Sequence, residues 1–312
     1  MSVTDPKLGS QKSMPSRHVV AVIVTFNPAI EALKASISSL VDQGCQPLIV
    51  DNGSLNADEI QAANLQADLI LNDANLGLGA AHNQGWRHAQ ELEANYLLIL
   101  DQDSLPKANM VAELVQAHKE QSKANKVSAV GACYENAENG SLSFFVRFGS
   151  IKFKRAYVET GTVEVDFLIS SGSLFAMESL EQIGGMDEAL FIDHVDTEWF
   201  LRARSVGFKA FGVADARMRH GLGEVTHSMR IAGRERNIPQ HKPFRYYYIF
   251  RNSVLLYKRG YVSWLWKWND IQRLSMILFM FGFLKSPRFA NMKMMALGSW
   301  HGLLGRSGPV EF

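Results

Sequence analysis

Cysteine is scarce in this chain of 312 residues, in which Cys45 and Cys133 are the only two and no CxxC pair occurs. Two thiols allow at most one disulfide, which excludes a disulfide-rich scaffold. This usage is typical of reduced, buried thiols in a cytosolic protein. Hydrophobic residues make up 47% of the chain, enough for a sizeable core, so global disorder is excluded.

Long apolar runs are also missing. Residues 1–18 are polar, so we expect a mobile tail rather than a secretory signal peptide. The apolar stretch Leu274–Leu284 has eleven residues and lies between Arg273 and Lys285. As a helix it would span only ~17 Å, well short of a ~30 Å hydrocarbon core. It therefore predicts an interfacial or core helix rather than a membrane span.

Charge is divided unevenly along the chain. The net charge is +1, but the segment His241–Phe312 has eleven Lys and Arg against two acidic residues and carries +9, which leaves −8 for the rest. An acidic body argues against nucleic-acid binding. We expect three parts: a tail over 1–18, an α/β domain over 19–240, and a basic C-terminal helical segment over 241–312.

The C-terminal segment is also rich in aromatic residues. Tyr246–Tyr248 form one cluster, and Trp264, Trp266 and Trp268 form another. Aromatic and basic residues together are typical of segments that lie on a membrane surface. The alternative is that the aromatics pack a helical subdomain against the sheet.

Apolar strands alternate with helical patterns through the first hundred residues. This alternation predicts an α/β fold with a doubly wound, mostly parallel sheet. The predicted strands are Val19–Thr25, Pro47–Val50, Asp68–Leu71 and Tyr96–Leu100, and the predicted helices are Ala29–Gln43 and Asp58–Leu65. The second half is less regular, with strands expected near 127–133 and 163–169 and a helix over 197–205.

Two acidic turns follow predicted strands, where open α/β sheets bind ligands. Asp101 and Asp103 come directly after the fourth strand and can offer hard oxygen ligands to Mg²⁺ or Mn²⁺, with a substrate diphosphate completing the shell. Asp51 follows the second strand and can accept a hydrogen bond from a nucleotide base. For both, an ordinary Asp-containing turn is the simpler alternative.

A third polar cluster is rich in glycine. Asn75–Gly79, with Asn83 and Gly85, resembles a phosphate-cradling loop that enters a helix near Trp86. The spacing does not match GxGxxG, because His82 stands where the third glycine would be. A dinucleotide site is therefore disfavoured, and a plain connector remains possible.

The densest group of titratable residues is Phe191–Glu198, with three acids and a histidine. Asp196 precedes a predicted helix and could be an N-cap, or it could take a proton from a hydroxyl group. His220 lies further along, and it could be structural or complete a metal site.

In this order, the motifs resemble the family 2 glycosyltransferases, which have the GT-A fold, over Val19 to about His220. The likeness is strongest to the L-rhamnosyltransferase branch of O-antigen and rhamnolipid synthesis. The motifs that carry it are Val24–Pro28, Asp51–Asn52, Leu100–Ser104, Phe167–Gly172, Phe191–Glu198 and Arg245–Asn252.

The resemblance implies a role for each matching residue. Asp196 takes the position of the catalytic base, although many members have Glu-Asp where this chain has Val195-Asp196, and Asp193 remains a rival. Donor contacts are implied for Thr25, Asn27, Asp51, Asn75, Gly77, Asn83 and Asp101, and metal ligation for Asp101, Asp103 and His220. The acceptor-side candidates are Ser171, Gly172, Asp193, Glu198 and Trp199.

The implied reaction is inverting, metal-dependent transfer of L-rhamnose from dTDP-β-L-rhamnose to a hydroxyl of a glycan or lipid-linked acceptor. Mg²⁺ or Mn²⁺ is the expected cofactor, and the expected location is peripheral, on the cytoplasmic face of the inner membrane. Alternatives are another nucleotide sugar (UDP- or GDP-linked), a sugar-nucleotide pyrophosphorylase, or a non-catalytic binding protein. The pyrophosphorylase is disfavoured because Asn27-Pro28 stands where that class has a basic, glycine-rich loop.

Overall fold

The computed structural model describes residues 18–136, 142–150, 153–220, 226–231 and 234–311. Of the tail expected to be mobile over 1–18, residues 1–17 lie outside the described residues. The strands are β1 (Val19–Thr25), β2 (Gln46–Asp51), β3 (Asp68–Leu71), β4 (Tyr96–Asp101), β5 (Ser104–Pro106), β6 (Val127–Asn136), β7 (Phe145–Arg147), β8 (Lys154–Ala156), β9 (Thr162–Val165), β10 (Ser173–Ala176), β11 (Lys209–His220), β12 (Thr226–Ile231) and β13 (Arg234–Pro239). The α-helices are α1 (Ile30–Asp42), α2 (Ala57–Ala62), α3 (Leu78–Glu91), α4 (Met110–Gln121), α5 (Met177–Ile183), α6 (Val195–Ser205), α7 (Pro243–Tyr257), α8 (Trp264–Ile277) and α9 (Arg288–Leu303), with a π-helical segment at Leu278–Leu284.

The central sheet has the strand order β3-β2-β1-β4-β10-β6-β11-β5, and β9 also pairs with β11. The half formed by β3, β2, β1 and β4 is parallel, as the alternating sequence pattern predicts. In the other half, β10 runs antiparallel between β4 and β6, so the sheet as a whole is mixed and largely parallel. The carboxyl ends of β1, β2 and β4 consequently meet at one edge, where the acidic turns lie.

Strand β1 shows how the sequence specifies the core. Val20 and Val22 pack into one cluster with α3, while Ala21 and Ile23 pack into the other with α1 and α4. All four are fully buried because helices cover both faces of the sheet. A continuous apolar run is therefore what this strand requires.

Helix α3 begins at Leu78, eight residues before the expected start near Trp86. Two glycines that were assigned to a loop lie inside it. A Cβ on Gly85 would come within 2.6 Å of the Val22 side chain, and one on Gly79 within 3.0 Å of the Asp187 carbonyl oxygen. These glycines allow close packing of the helix rather than a flexible loop.

The C-terminal segment forms helices that pack on the α/β domain and on each other. Helix α9 approaches α7 through Gly298 and Gly302, and a Cβ on Gly302 would lie 2.7 Å from the Arg251 carbonyl oxygen. Tyr246–Tyr248 and Trp266 are buried, so four of the six aromatic residues in these two clusters form core. No helix in the described part of the chain is long and apolar enough to cross a bilayer.

Candidate active site

The turn after β2 surrounds a fully buried carboxylate. Asp51 accepts a hydrogen bond at Oδ1 from the Thr25 hydroxyl, at 2.7 Å, and at Oδ2 from the Ser54 backbone N–H, at 2.9 Å. Asn27 adds to the same turn, since its backbone N–H donates to the Ser54 hydroxyl oxygen at 2.7 Å. Thr25, Asn27 and Asp51 thus lie together at the strand ends, and Ser54 is a member of this group that sequence reasoning missed.

Asn52 ties the glycine loop to this turn. Its Nδ2 donates to the Gly77 carbonyl oxygen at 3.2 Å and to Asn75 Oδ1 at 3.1 Å, while its Oδ1 accepts from the Leu76 N–H at 3.0 Å. Gly77 has φ +90°, and a Cβ there would lie 2.6 Å from the Phe191 ring. The loop 75–77 is therefore held between β2 and the segment that precedes α6.

Asn83, expected to contact the donor, has a different position. Its Nδ2 donates to the Met186 carbonyl oxygen at 2.9 Å, and its Oδ1 accepts from the Met186 N–H at 2.7 Å. The side chain is buried, and both ends of the amide are used to tie α3 to the loop before α6. The structure thus places its amide in a packing contact.

Ser171 contacts the turn Asp101–Ser104 through its side-chain hydroxyl. The Asp101 backbone N–H donates to Ser171 Oγ at 3.0 Å, and the Ser171 and Ser104 hydroxyls lie 2.7 Å apart. Ser171 and Ser104 are buried, whereas Asp101 and Asp103 are half-buried. Ser171 was expected on the acceptor side but positions the acidic turn.

Gly172 has a packing role next to Ser171. Its φ is +77°, and a Cβ there would lie 2.8 Å from the Met218 sulfur. Its N–H donates to the Ile99 carbonyl oxygen at 2.8 Å. Gly172 therefore fixes the loop against β4.

Asp101 and Asp103 fit a hard divalent cation. The described residues contain no group of three His, Cys, Asp or Glu side chains that could hold a metal ion, and the turn after β4 carries the two carboxylates of Asp101 and Asp103. A cation such as Mg²⁺ commonly takes one or two carboxylates and completes its shell with water and substrate phosphates. The backbone of His220 pairs with Ser104, one residue beyond Asp103, but its side chain lies outside the described part of the structure.

Asp196 lies in the first turn of α6 and is half-buried. It accepts hydrogen bonds from the backbone N–H of Thr197, at 2.6 Å, and of Ser170. Burial, with the nearby negative charge of Asp193, raises the pKa of the Asp196 carboxyl above its ordinary value, although the two backbone donors act in the opposite direction. A carboxylate with a raised pKa is a better proton acceptor.

The backbone before Asp196 is strained. Phe191, Asp193 and His194 all have positive φ, between +61° and +65°, which costs free energy for residues other than glycine. Asn252 in α7 stabilises this shape, because its Nδ2 lies 2.8–2.9 Å from the carbonyl oxygens of Leu190, Ile192 and Asp193. The C-terminal segment therefore shapes the site.

Asp193 and His194 are each held by an arginine. Asp193 Oδ1 accepts from Arg245 at 2.8 Å, and His194 Nε2 accepts from Arg273 at 2.9 Å. Burial and the charge of Arg273 lower the pKa of His194 to about 4, so its ring is neutral. Among the described residues no cation contacts Asp196, so of the two rival carboxylates only Asp196 is without an arginine partner.

Glu198 and Trp199, expected on the acceptor side, are core residues. Glu198 accepts from Arg202 at 2.9 Å and from the Tyr261 hydroxyl at 2.5 Å, and it is 1% exposed. Trp199 is fully buried and donates from its indole nitrogen to the Gly184 carbonyl oxygen at 2.8 Å. Both side chains pack into the protein interior. The sequence motif alone does not show which of its residues are buried and which are exposed at the site.

Comparisons with known proteins agree with this architecture. The family model described as Glycosyl transferase family 2 matches residues 20–184. A protein named dTDP-rhamnosyl transferase RfbF, from Shigella flexneri, is 32% identical over 265 residues, which cover 80% of this chain and 82% of that protein.

Solved structures show the same fold at low sequence identity. TarS 1–349 from S. aureus, in complex with UDP-GlcNAc, is similar with a TM-score of 0.57 and 14% identity, covering 93% of this chain and 81% of that one. GalNAc-T7 with UDP, GalNAc and Mn²⁺ is similar with a TM-score of 0.53 and 16% identity. The match covers 86% of this chain and 56% of that one.

Proposed function

The chain belongs to glycosyl transferase family 2, and we propose that it transfers L-rhamnose from dTDP-β-L-rhamnose to a hydroxyl of a glycan or lipid-linked acceptor, with inversion at the anomeric carbon. The observation that supports this donor is the 32% identity to a dTDP-rhamnosyl transferase over 80% of the chain. Synthesis of a cell-surface polysaccharide or glycolipid is the corresponding process.

Asp196 is the proposed base. It accepts the proton of the acceptor hydroxyl as the hydroxyl oxygen attacks the anomeric carbon from the side opposite the departing dTDP. Its raised pKa and its lack of a cationic partner among the described residues support this choice over Asp193, whose carboxylate is occupied by Arg245.

Asp101 and Asp103 are the proposed ligands of Mg²⁺ or Mn²⁺, with His220 as the third. The bound cation would neutralise the negative charge of the departing diphosphate. The Ser171 hydroxyl holds the backbone of this turn, which keeps the two carboxylates at the end of β4. On the donor side, the proposed contacts are Asp51, Asn27 and the loop at Asn75 and Gly77, with Thr25 supporting Asp51.

A peripheral position on the cytoplasmic face of the inner membrane is the proposed location. An exposed apolar stripe along α8 and the π-helical segment supports it, with three side chains on α8 and two on the π-helical segment. The stripe consists of Trp264, Trp268, Ile271, Phe279 and Phe283, which are 38–72% exposed. Lys285, Arg288 and Lys293 follow it and would attract anionic lipid.

The neighbouring cations Lys258 and Arg259 do not belong to this surface. Lys258 donates to the Gly302 carbonyl oxygen at 2.8 Å, and Arg259 lies 3.1 Å from Glu198. These two residues join α7 to the rest of the protein.

A donor panel tests the proposed function. We would incubate the full chain with dTDP-rhamnose, UDP-GlcNAc, UDP-galactose and GDP-mannose, each with Mg²⁺ or Mn²⁺ and again with EDTA, and measure release of the nucleoside diphosphate. We expect dTDP-rhamnose to be turned over fastest and EDTA to abolish release. Faster turnover of a UDP- or GDP-sugar would contradict the assignment of dTDP-rhamnose as donor. Full activity in the presence of EDTA would contradict the proposed metal dependence.

A further inference from the structure

A cavity of about 650 Å³ opens beside the proposed base. Its walls come from the β7–β8 hairpin, the start of α6, and helices α7 and α8. Thr197 lines it, and the backbone N–H of Thr197 donates to Asp196 at 2.6 Å. The cavity lining thus includes the residue that follows the proposed base in α6.

The cavity carries excess positive charge. Both of its carboxylates are already paired, Asp193 with Arg245 at 2.8 Å and Asp270 with Arg273 at 2.7 Å. Lys154 and Arg155 on β8 also line it and are exposed, and within the described parts of the chain no carboxylate contacts either of them. Two cations at one wall, without a carboxylate partner among the described residues, favour an anionic occupant.

The other walls are aromatic. Phe153, Phe167 and Trp266 line the cavity, and the first two rings pack with their centroids 6.4 Å apart. The guanidinium of Arg155 lies 4.2 Å from the centroid of the Phe144 ring, which orients it along this wall. Aromatic walls bind apolar chains and the flat faces of sugar rings.

From this combination, we propose that the cavity is the acceptor site and takes an acceptor that carries a phosphate-type anion next to an apolar or ring-shaped portion. Lys154 and Arg155 hold the anion, and the aromatic wall holds the adjoining portion. The acceptor could be joined to a lipid through phosphate or be a free sugar phosphate, since both present the same chemistry. The inference rests on the proposed function, because the acceptor role follows from the role of Asp196.

Direct binding tests this proposal. The probes are geranyl diphosphate, glucose 1-phosphate and geraniol, titrated by calorimetry into the full chain with Mg²⁺ and saturating dTDP, which blocks the donor site. We expect an anionic probe to bind at least about tenfold more tightly than geraniol, as two charge-assisted hydrogen bonds allow. If geranyl diphosphate binds most tightly, the acceptor is joined to a lipid through phosphate. If glucose 1-phosphate binds most tightly, the acceptor is a free sugar phosphate.

Variants locate the binding. Lys154→Gln/Arg155→Gln should lose about tenfold in affinity for the anionic probe and leave geraniol binding unchanged. Lys123→Gln/Lys126→Gln removes two exposed cations that lie outside the cavity, so it should change the affinity neither for the anionic probe nor for geraniol. Equal binding of anionic and neutral probes, or an unaffected Lys154→Gln/Arg155→Gln variant, would overturn the proposal.

The same variants separate this inference from the proposed function. Lys154→Gln/Arg155→Gln should bind dTDP-rhamnose as the wild type does, because its cations line the acceptor cavity and not the donor turn. A wild type that fails to bind dTDP-rhamnose would contradict the donor assignment while leaving the probe result in place.

Discussion

The hydroxyl oxygen of Ser171 lies 3.0 Å from the backbone nitrogen of Asp101. The residue before it, Ser170, donates its own backbone N–H to Asp196. Two adjacent residues of one loop thus contact both the acidic turn after β4 and the proposed base. Movement of this loop would displace the turn proposed to bind the metal and the proposed base together.

Removal of the Ser171 hydroxyl should affect the metal dependence of turnover. Ser171→Ala removes the hydroxyl that contacts the Asp101 N–H and the Ser104 hydroxyl, at a cost of about 1–3 kcal/mol. We expect a higher Mg²⁺ concentration for half-maximal activity, measured by nucleotide release. Ser179→Ala is the control, since Ser179 is equally buried and bonds to the Ser128 carbonyl oxygen. Ser179→Ala should lower the melting temperature without changing the Mg²⁺ concentration for half-maximal activity. The same Mg²⁺ dependence in both variants would contradict the role of Ser171.

The strained loop before α6 should depend on Asn252. Asn252→Ala removes the donor for three carbonyl oxygens, and we expect the free energy of unfolding to fall by about 1–3 kcal/mol and turnover to fall more steeply than donor affinity. Asn291→Ala provides the comparison, because Asn291 is fully buried and bonds to the Phe281 carbonyl oxygen within the C-terminal helices. If both variants lose stability and activity in the same proportion, Asn252 has no special role at the site.

The pH profile of turnover should report the environment of Asp196. A base acts only when deprotonated, and its raised pKa places the acidic limb of the kcat profile above the ordinary aspartate value of 3.8. The charge of Asp193 contributes to this shift. In Asp193→Asn that repulsion is absent, so we expect the acidic limb to move to lower pH while turnover is retained. A limb that stays in place or moves to higher pH would be inconsistent with Asp196 as the titrating group.

Membrane association should depend on the exposed stripe and the cations that follow it. We expect the full chain to sediment with anionic vesicles at low salt and to be partly released at high salt, because salt screens surface attraction. Trp268→Ala/Phe279→Ala should weaken sedimentation, and Lys285→Gln/Arg288→Gln/Lys293→Gln should reduce its salt dependence. Lys123→Gln/Lys126→Gln should bind vesicles normally. No sedimentation of the folded wild type at low salt would contradict the proposal, and a dimer in solution would instead assign the stripe to contact between copies.

The first half of the fold could be predicted because its signals are local. Val19–Val24 is apolar throughout, as a strand covered on both faces must be, and Asp51 and Asp101 end strands of the parallel half of the sheet. Parallel pairing then brings their turns to one edge without any further information. The glycines of α3 were misassigned because close packing and loop flexibility both favour glycine.

The part of the site that the sequence did not reveal depends on long-range contacts. Asn252 binds carbonyl oxygens some sixty positions earlier in the chain, and its sequence neighbours give no sign of this. The burial of Tyr246–Tyr248 follows in the same way from packing against α9 and the loop before α6. Glu198 and Trp199 share a motif with Asp196 but are buried in packing contacts of α6.

The measurement that tests the account most directly compares Asp196→Asn with Asp193→Asn, with turnover of dTDP-rhamnose and its binding affinity determined for each. Asparagine keeps the shape of the side chain but cannot accept a proton. We expect Asp196→Asn to lose at least ~100-fold in turnover with donor affinity unchanged, and Asp193→Asn to remain active. Retained turnover in Asp196→Asn together with an inactive Asp193→Asn would contradict the account and assign the base to Asp193.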